Sequence, residues 1–183
     1  MASQQQSSTT PVASRDRWQT PQWLFDWADK RFMFEIDLAA SKENAKVYAY
    51  IDKDGDALSA DWSGIDKQGL SGGYGFCNPP YSEPGKWLKK AWHEAQQGFQ
   101  SVFLVPCPNG EAYWQEAVFG KASEIIFITG RVAFELPDLD GEPVPKSGNT
   151  RGSCFVVFNR SYPGPTSINY INRDDMKKEF EQC

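Results

Sequence analysis

Gly75-Phe76-Cys77-Asn78-Pro79-Pro80-Tyr81 is the stretch on which the fold turns. Two successive prolines cannot continue a helix, and neither donates a ladder hydrogen bond. The chain therefore leaves a strand here and runs extended. That holds the Asn78 carboxamide and the Tyr81 ring at the strand's C-terminal edge. In open α/β sheets ligands bind at that edge. An amide acceptor beside an aromatic face suits a planar group carrying an amino nitrogen, such as a nucleobase. An ordinary turn is the competing reading.

Downstream, Trp87, Leu88, Ala91, Trp92 and Ala95 share one helical face, and Gly98 is a natural stop. Val102 to Val105 reads as a short buried strand ended by Pro106. Tyr113, Trp114, Ala117 and Val118 repeat the helical spacing up to Gly120, and Ile125 to Ile128 is a further strand. Val132 to Leu136 and Cys154 to Phe158 are expected to form a closing strand pair, joined by a Gly/Pro-rich loop from Pro137 to Gly152. Upstream, Thr20 is expected to cap a helix with Pro21 at its first position, and Leu24, Trp27 and Ala28 form its apolar face. Phe34, Ile36 and Leu38 alternate toward a strand end near Asp37, followed by Ala39-Ala40-Ser41. Val47 to Ile51 is a second strand, and Asp52 to Gly73 is expected to be irregular.

Strands alternating with helices imply an α/β fold: a mostly parallel sheet with helices on both faces, the closing pair adding antiparallel strands at one edge. The 183 residues suit a single domain. Residues 15–172 form it in this reading. Met1 to Ser14, rich in Gln, Ser and Thr, is expected to be a disordered tail, and 173–183 a charged tail or short helix.

A net charge of −5 excludes nucleic-acid binding by bulk charge, so any such contact needs a local basic patch. No apolar run approaches the ~20 residues that span a bilayer. One His and four scattered cysteines without CxxC spacing give no metal site and fit reduced thiols in a cytosolic compartment.

The acid at the end of the first strand, its small-residue turn and the later Asn-Pro-Pro-Tyr resemble the amino-methyltransferases that use S-adenosylmethionine. A longer ordered set resembles the phage-type Dam family of DNA adenine-N6 methyltransferases. It comprises Trp18-Gln-Thr-Pro21, Leu24-Phe-Asp26, Phe34 to Ser41 with Asn44-Ala45, Leu58 and Trp62. It continues through Phe76 to Ser82, Trp87, Leu104-Val-Pro106, Trp114, Phe127 to Phe134 with Gly130-Arg131, and Gly152-Ser153 with the strand to Phe158. The set spans roughly residues 17 to 160. Unlike methyltransferases at large, the turn after Asp37 contains no Gly.

The resemblance implies a Rossmann-like methyltransferase fold, S-adenosylmethionine as cofactor, and double-stranded DNA with an extruded adenine as substrate. It implies work in the cytoplasm of a bacterial host. Catalysis would lie at Asn78, Pro79, Pro80 and Tyr81. The Asn78 side-chain oxygen and the Pro79 carbonyl would accept hydrogen bonds from N6, and Tyr81 would stack on the base. The cofactor site would involve Thr20, Pro21, Asp37, Ala39, Ala40, Ser41 and Asp61, with Trp62 beside the adenosine. A helix cap explains Thr20 and Pro21 equally well; for Asp37 a cap or an exposed strand-end acid is the alternative, its position favouring the cofactor role, and Trp62 equally suits the core. For DNA phosphates the candidates are Lys86, Lys89, Arg131 and Arg151, against the alternative of a solvated helix face for the lysines. An RNA or protein-glutamine amino-methyltransferase fits the same tetrapeptide, as does a binding protein without turnover. Pro106-Cys107 also allows a thiolate mechanism of the cytosine-C5 kind.

Overall fold

The structure, a computed structural model, describes residues 16–66, 72–137, 143–146, 151–160, 162 and 164–181. The chain forms α1 (Gln22–Phe32), β1 (Phe34–Asp37), β2 (Ala49–Tyr50), α2 (Trp62–Asp66), β3 (Tyr74–Cys77), α3 (Pro84–Gln96) and β4 (Ser101–Pro106). It continues as α4 (Ala112–Ala117), β5 (Glu124–Thr129), β6 (Phe134–Pro137), β7 (Pro143–Lys146), β8 (Ser153–Phe158), β9 (Ser167–Asn172) and α5 (Arg173–Glu181).

Seven strands lie in the order β2-β1-β3-β4-β8-β5-β9. All are mutually parallel except β8, which runs antiparallel to both β4 and β5. Period-2 alternation sends successive residues to opposite faces. Ile36, Phe103 and Val105 point into the layer containing Leu88, Ala91 and Trp114 of α3 and α4. Val102 and Leu104 point into the layer containing Leu24 and Phe25 of α1 and Met176 of α5, and Phe34 joins it because the register shifts between Phe34 and Ile36. The sheet is thus covered on both faces, as the alternation of elements implies.

The closing strand pair is not formed. β6 pairs with β7 in a separate two-stranded ribbon, from Phe134↔Lys146 to Pro137↔Pro143. β8 instead occupies the sheet interior, where the six residues Ser153 to Phe158 are all buried. An apolar run signals a buried strand without naming its neighbours, so alternation alone could not place it. The Pro137-to-Gly152 stretch therefore contains a strand, and its remaining residues 138–142 and 147–150 lie outside the described part. The expected tail, residues 1–14, also lies outside it.

Pro21, with ψ 141°, is the residue before α1 and not its first helical residue, and no side chain caps that end. Thr20 is therefore not the helix cap. The supposedly irregular region holds the short α2. The C-terminal end is helical from Arg173 and is preceded by the unanticipated strand β9. Among the described residues, no helix is long and apolar enough to cross a membrane.

Candidate active site

β1 has β2 on one side and β3 on the other, both parallel to it. The chain thus leaves the C-terminal end of β1 in one direction and returns on the opposite side. Such a reversal opens a crevice at the strand ends. Asp37 is the last residue of β1, and Asn78 follows β3 directly. Asp37 is in register with Phe76, and the Leu38 N–H donates to the Phe76 carbonyl at 2.8 Å. The two polar side chains are therefore held on adjoining strand ends by backbone pairing.

A cavity of about 340 Å³ opens there, bounded by Thr20, Asp37, Ala39, Ala40, Asn78 and Pro80 among others. Its volume falls within the roughly 300–1,000 Å³ of small-molecule sites. The turn after β1 forms without Gly because none of Leu38 to Ser41 has a positive φ. The Ala39 N–H turns back to Asp37 Oδ1 at 3.3 Å, and the Ala40 N–H donates to the Ile51 carbonyl at 3.2 Å.

Asp37 is buried, with 4% of its surface exposed. Burial raises its carboxyl from 3.8 to about 6, against the lowering effect of the Lys46 and Ala39 N–H groups and the Lys46 charge. Lys46, which also borders the cavity, donates its N–H to Asp37 Oδ2 at 3.2 Å and its ammonium to Gln22 Oε1 at 3.1 Å. Burial lowers its ammonium pKa, opposed by the charges of Glu135, Asp37 and Asp26. A buried carboxylate held mainly by backbone donors is an unsaturated partner for a cationic ligand group.

Asn78 shows which of its ends is spent. Its Nδ2 donates to the Trp18 carbonyl at 2.9 Å, whereas its Oδ1 is buried and has no partner. The Trp18 carbonyl can only accept, so the NH₂ end must face it and the oxygen must point away. Thr20 Oγ1, on the same cavity, is likewise buried without a partner. Both are groups that a ligand would satisfy.

Tyr81 does not border the cavity. Its ring meets the edges of Trp18 and Phe134 at centroid distances of 5.7 and 5.6 Å, and Trp18 stacks on Phe134 at 5.5 Å. Its hydroxyl is enclosed without a partner, and burial pushes the phenol well above its usual range. Pro79 is buried next to Asn78 but not on the cavity wall. Pro21 and Ser41 stand behind the wall as well. Ser41 donates its N–H to Asn44 Oδ1 at 2.6 Å, and it is Asn44 that reaches the cavity.

Two expectations near the cofactor end fail. Asp61 accepts from Ser63 Oγ at 2.7 Å and from the Gly64 N–H at 3.0 Å, capping α2 outside the cavity. Trp62 is fully buried, and its Nε1–H donates to the Ala57 carbonyl at 2.8 Å, so its ring cannot stack on a ligand. Of the four cations expected at DNA phosphates, three form ion pairs at the protein surface. Lys86 pairs with Glu83 at 2.6 Å, Lys89 with Glu116 at 2.5 Å, and Arg151 with Glu111. The Arg131 carbonyl accepts from the Arg173 guanidinium at 2.9 Å. Cys107 does not reach the cavity, and its thiol lies against Cys154, which burial keeps protonated.

Sequence reasoning missed the segment Asp16 to Gln19, which forms one wall of the cavity, together with Asn44, Lys46 and Trp87. Trp18, Gln19 and Asn44 are visible as parts of the family resemblance, and Trp87 there and on its helix's apolar face, but none of them reads as a site residue from the sequence.

The family model described as DNA N-6-adenine-methyltransferase (Dam) matches residues 7–182. The chain belongs to the Dam family. It is 28% identical over 176 residues to a DNA N-6-adenine-methyltransferase of Haemophilus phage HP1 (strain HP1c1), covering 94% of this chain and 95% of that one. It is 32% identical over 142 residues to a DNA N-6-adenine-methyltransferase of Escherichia phage T1, covering 77% of this chain and 55% of that protein. The Dam match, over residues 7–182, takes in the strand ends that carry Asp37 and Asn78 and the segment from Asp16 to Gln19.

Proposed function

We propose that this Dam-family protein transfers a methyl group from S-adenosylmethionine to the N6 amino group of an adenine extruded from double-stranded DNA. The observation that carries this reading is the Asn78 carboxamide. Its donor end is committed to the Trp18 carbonyl, and its acceptor oxygen is buried without a partner on a residue that borders the cavity shared with Asp37. An adenine amino group supplies the missing donor.

The residues fit the cofactor. Asp37 offers a carboxylate for the methionine ammonium, and the Thr20 hydroxyl offers an unmet polar partner. Pro21, Ser41 and Asn44 support that wall, while Ala39 and Ala40 leave it thin enough for close approach. When bound, the cofactor supplies an electrophilic methyl on a sulfonium. Asn78 Oδ1 and the Pro79 carbonyl hold the two N6 protons, favouring a tetrahedral nitrogen whose lone pair is available. The gain comes from placement and fixed dipoles, not from a strong base. Tyr81 meets the base after its ring swings away from its edge-on contacts with the stacked Trp18 and Phe134. Base–aromatic stacking, worth ~1–3 kcal/mol, offsets part of the unstacking cost. The reading places the work in the cytoplasm of a bacterial host.

Incubation with methyl-labelled S-adenosylmethionine and unmethylated DNA tests it. Label is expected in N6-methyladenine. Asn78→Ala is expected to lower kcat by about 10²–10³-fold, the usual loss for a preorganised polar group, while sparing cofactor binding. Label in RNA or protein alone, or bound cofactor without transfer, overturns the reading.

A further inference from the structure

The Asn-Pro-Pro-Tyr corner does not stand alone. Asp16 Oδ1 accepts from the Ser82 N–H at 2.9 Å, one residue beyond Tyr81. The Trp18 carbonyl takes the Asn78 amide at 2.9 Å, at the other end of the tetrapeptide. Gln19 then exchanges both backbone hydrogen bonds with Glu135, at 2.8 and 3.0 Å. The Trp18 ring fills the space between, stacked on Phe134 and edge-on to Tyr81. Residues 16 to 19 thus cross the corner and are pinned at Ser82, at Asn78 and at β6.

We infer that Asp16 is a positioning residue for methyl transfer: it anchors a clamp, residues 16 to 19, whose Trp18 carbonyl fixes the Asn78 carboxamide with its oxygen toward the target base. The inference rests on the proposed reaction. A free Asn side chain rotates, and either end of its amide can face the base. With its NH₂ end facing N6, two donors would oppose each other. Only the Trp18 carbonyl selects the productive orientation, and that carbonyl is part of a segment without helix or sheet to hold it. Its placement depends on the anchors on either side. Beside the packing of the Trp18 ring on Phe134 and Tyr81, Asp16 is the anchor made by a side-chain hydrogen bond, which substitution can release without altering the corner itself. Gln19 is the other anchor, and a proline there removes the N–H that reaches the Glu135 carbonyl.

The test compares Asp16→Asn, Asp16→Ala and Gln19→Pro with the unaltered protein. Steady-state transfer to unmethylated DNA is measured, together with calorimetric binding of S-adenosylhomocysteine and amide hydrogen exchange. Asp16→Ala and Gln19→Pro are expected to lower kcat by about 10- to 100-fold, the scale of a misplaced reacting group. S-adenosylhomocysteine affinity and the KM for DNA should change far less. Asp16→Asn keeps an acceptor for Ser82, weaker by about half, and should restore most of the rate. Exchange at Asn78, Tyr81 and Ser82 should speed up in the Ala variant while β4 stays protected, showing an intact fold. Equal rates in all variants, an Asn variant as slow as Ala, or unchanged exchange at Ser82 overturns the clamp. If the unaltered protein transfers nothing to DNA, the functional reading fails, and the exchange comparison alone decides whether Asp16 holds the corner.

Discussion

Replacing Asp37 with Asn removes a charge that the fold keeps out of water. Burial moves this carboxyl from 3.8 to about 6. Below pH 3.8 both folded and unfolded forms carry the proton, and the group costs nothing. Between the two values the folded state keeps the proton and the unfolded chain has lost it, so stability falls as pH rises. Above about pH 6 both forms are ionised, and the full penalty persists. At about 1.4 kcal/mol per pH unit, the total is about 3 kcal/mol. Asn does not titrate. It also presents only one oxygen to the Ala39 and Lys46 N–H groups, a deduction of about 1–3 kcal/mol that is independent of pH. The stability of Asp37→Asn minus that of the unaltered protein should therefore grow by about 2 kcal/mol from pH 4 to pH 7, since part of the penalty is already present at pH 4. Urea unfolding followed by tryptophan fluorescence across that range measures the difference, in which the other carboxylates cancel. A difference that stays flat refutes the desolvated carboxylate. The same variant should lose affinity for S-adenosylhomocysteine at pH 7, because the ammonium of that ligand loses its charged partner.

Other substitutions probe the rest of the site. Tyr81→Phe removes a hydroxyl that is enclosed without a partner, so the protein lacking cofactor and DNA should become more stable by about 1 kcal/mol or more, read as a higher Tm; a lower Tm would mean the hydroxyl is satisfied. Trp62→Ala should cost about 3–5 kcal/mol in urea unfolding, because that ring is core; near-normal stability would restore it as a ligand-facing residue. Lys86→Ala and Lys89→Ala should each leave the slope of log affinity for DNA against log salt within about half a unit of the original, since a true phosphate contact contributes about 0.9; a full loss of that size returns these lysines to the DNA interface.

The strand ends were legible because their signals are local. Two prolines must break a strand, and alternation from Phe34 to Leu38 must put Asp37 at an end. Partners distant in sequence were not. Glu83, three residues before Lys86, is within reach on one turn, but Glu116 reaches Lys89 only because α4 packs on α3. Trp62 could not be assigned to cavity or core from its flanks, since that depends on Ala57 and Phe103 lying against it. β9 was missed although Ile168 and Tyr170 alternate with polar residues, because so short an alternation is weak and the strand it forms is largely exposed. The wall from Asp16 to Gln19 has no periodicity, and its place is set by bonds to residues 60 and 66 positions away.

The antiparallel strand in the middle of the sheet governs how the protein is made. β4 and β5 never touch, because β8 stands between them. A chain emerging from the ribosome completes the segments bearing Asp37 and Asn78 early, yet β5 has no hydrogen-bonded neighbour until residues 153 to 158 and 167 to 172 arrive. Closure by such distant pairing is slow and leaves strand edges open meanwhile. A nascent chain halted before residue 153 would thus carry the chemistry of the corner on a sheet that ends at β4.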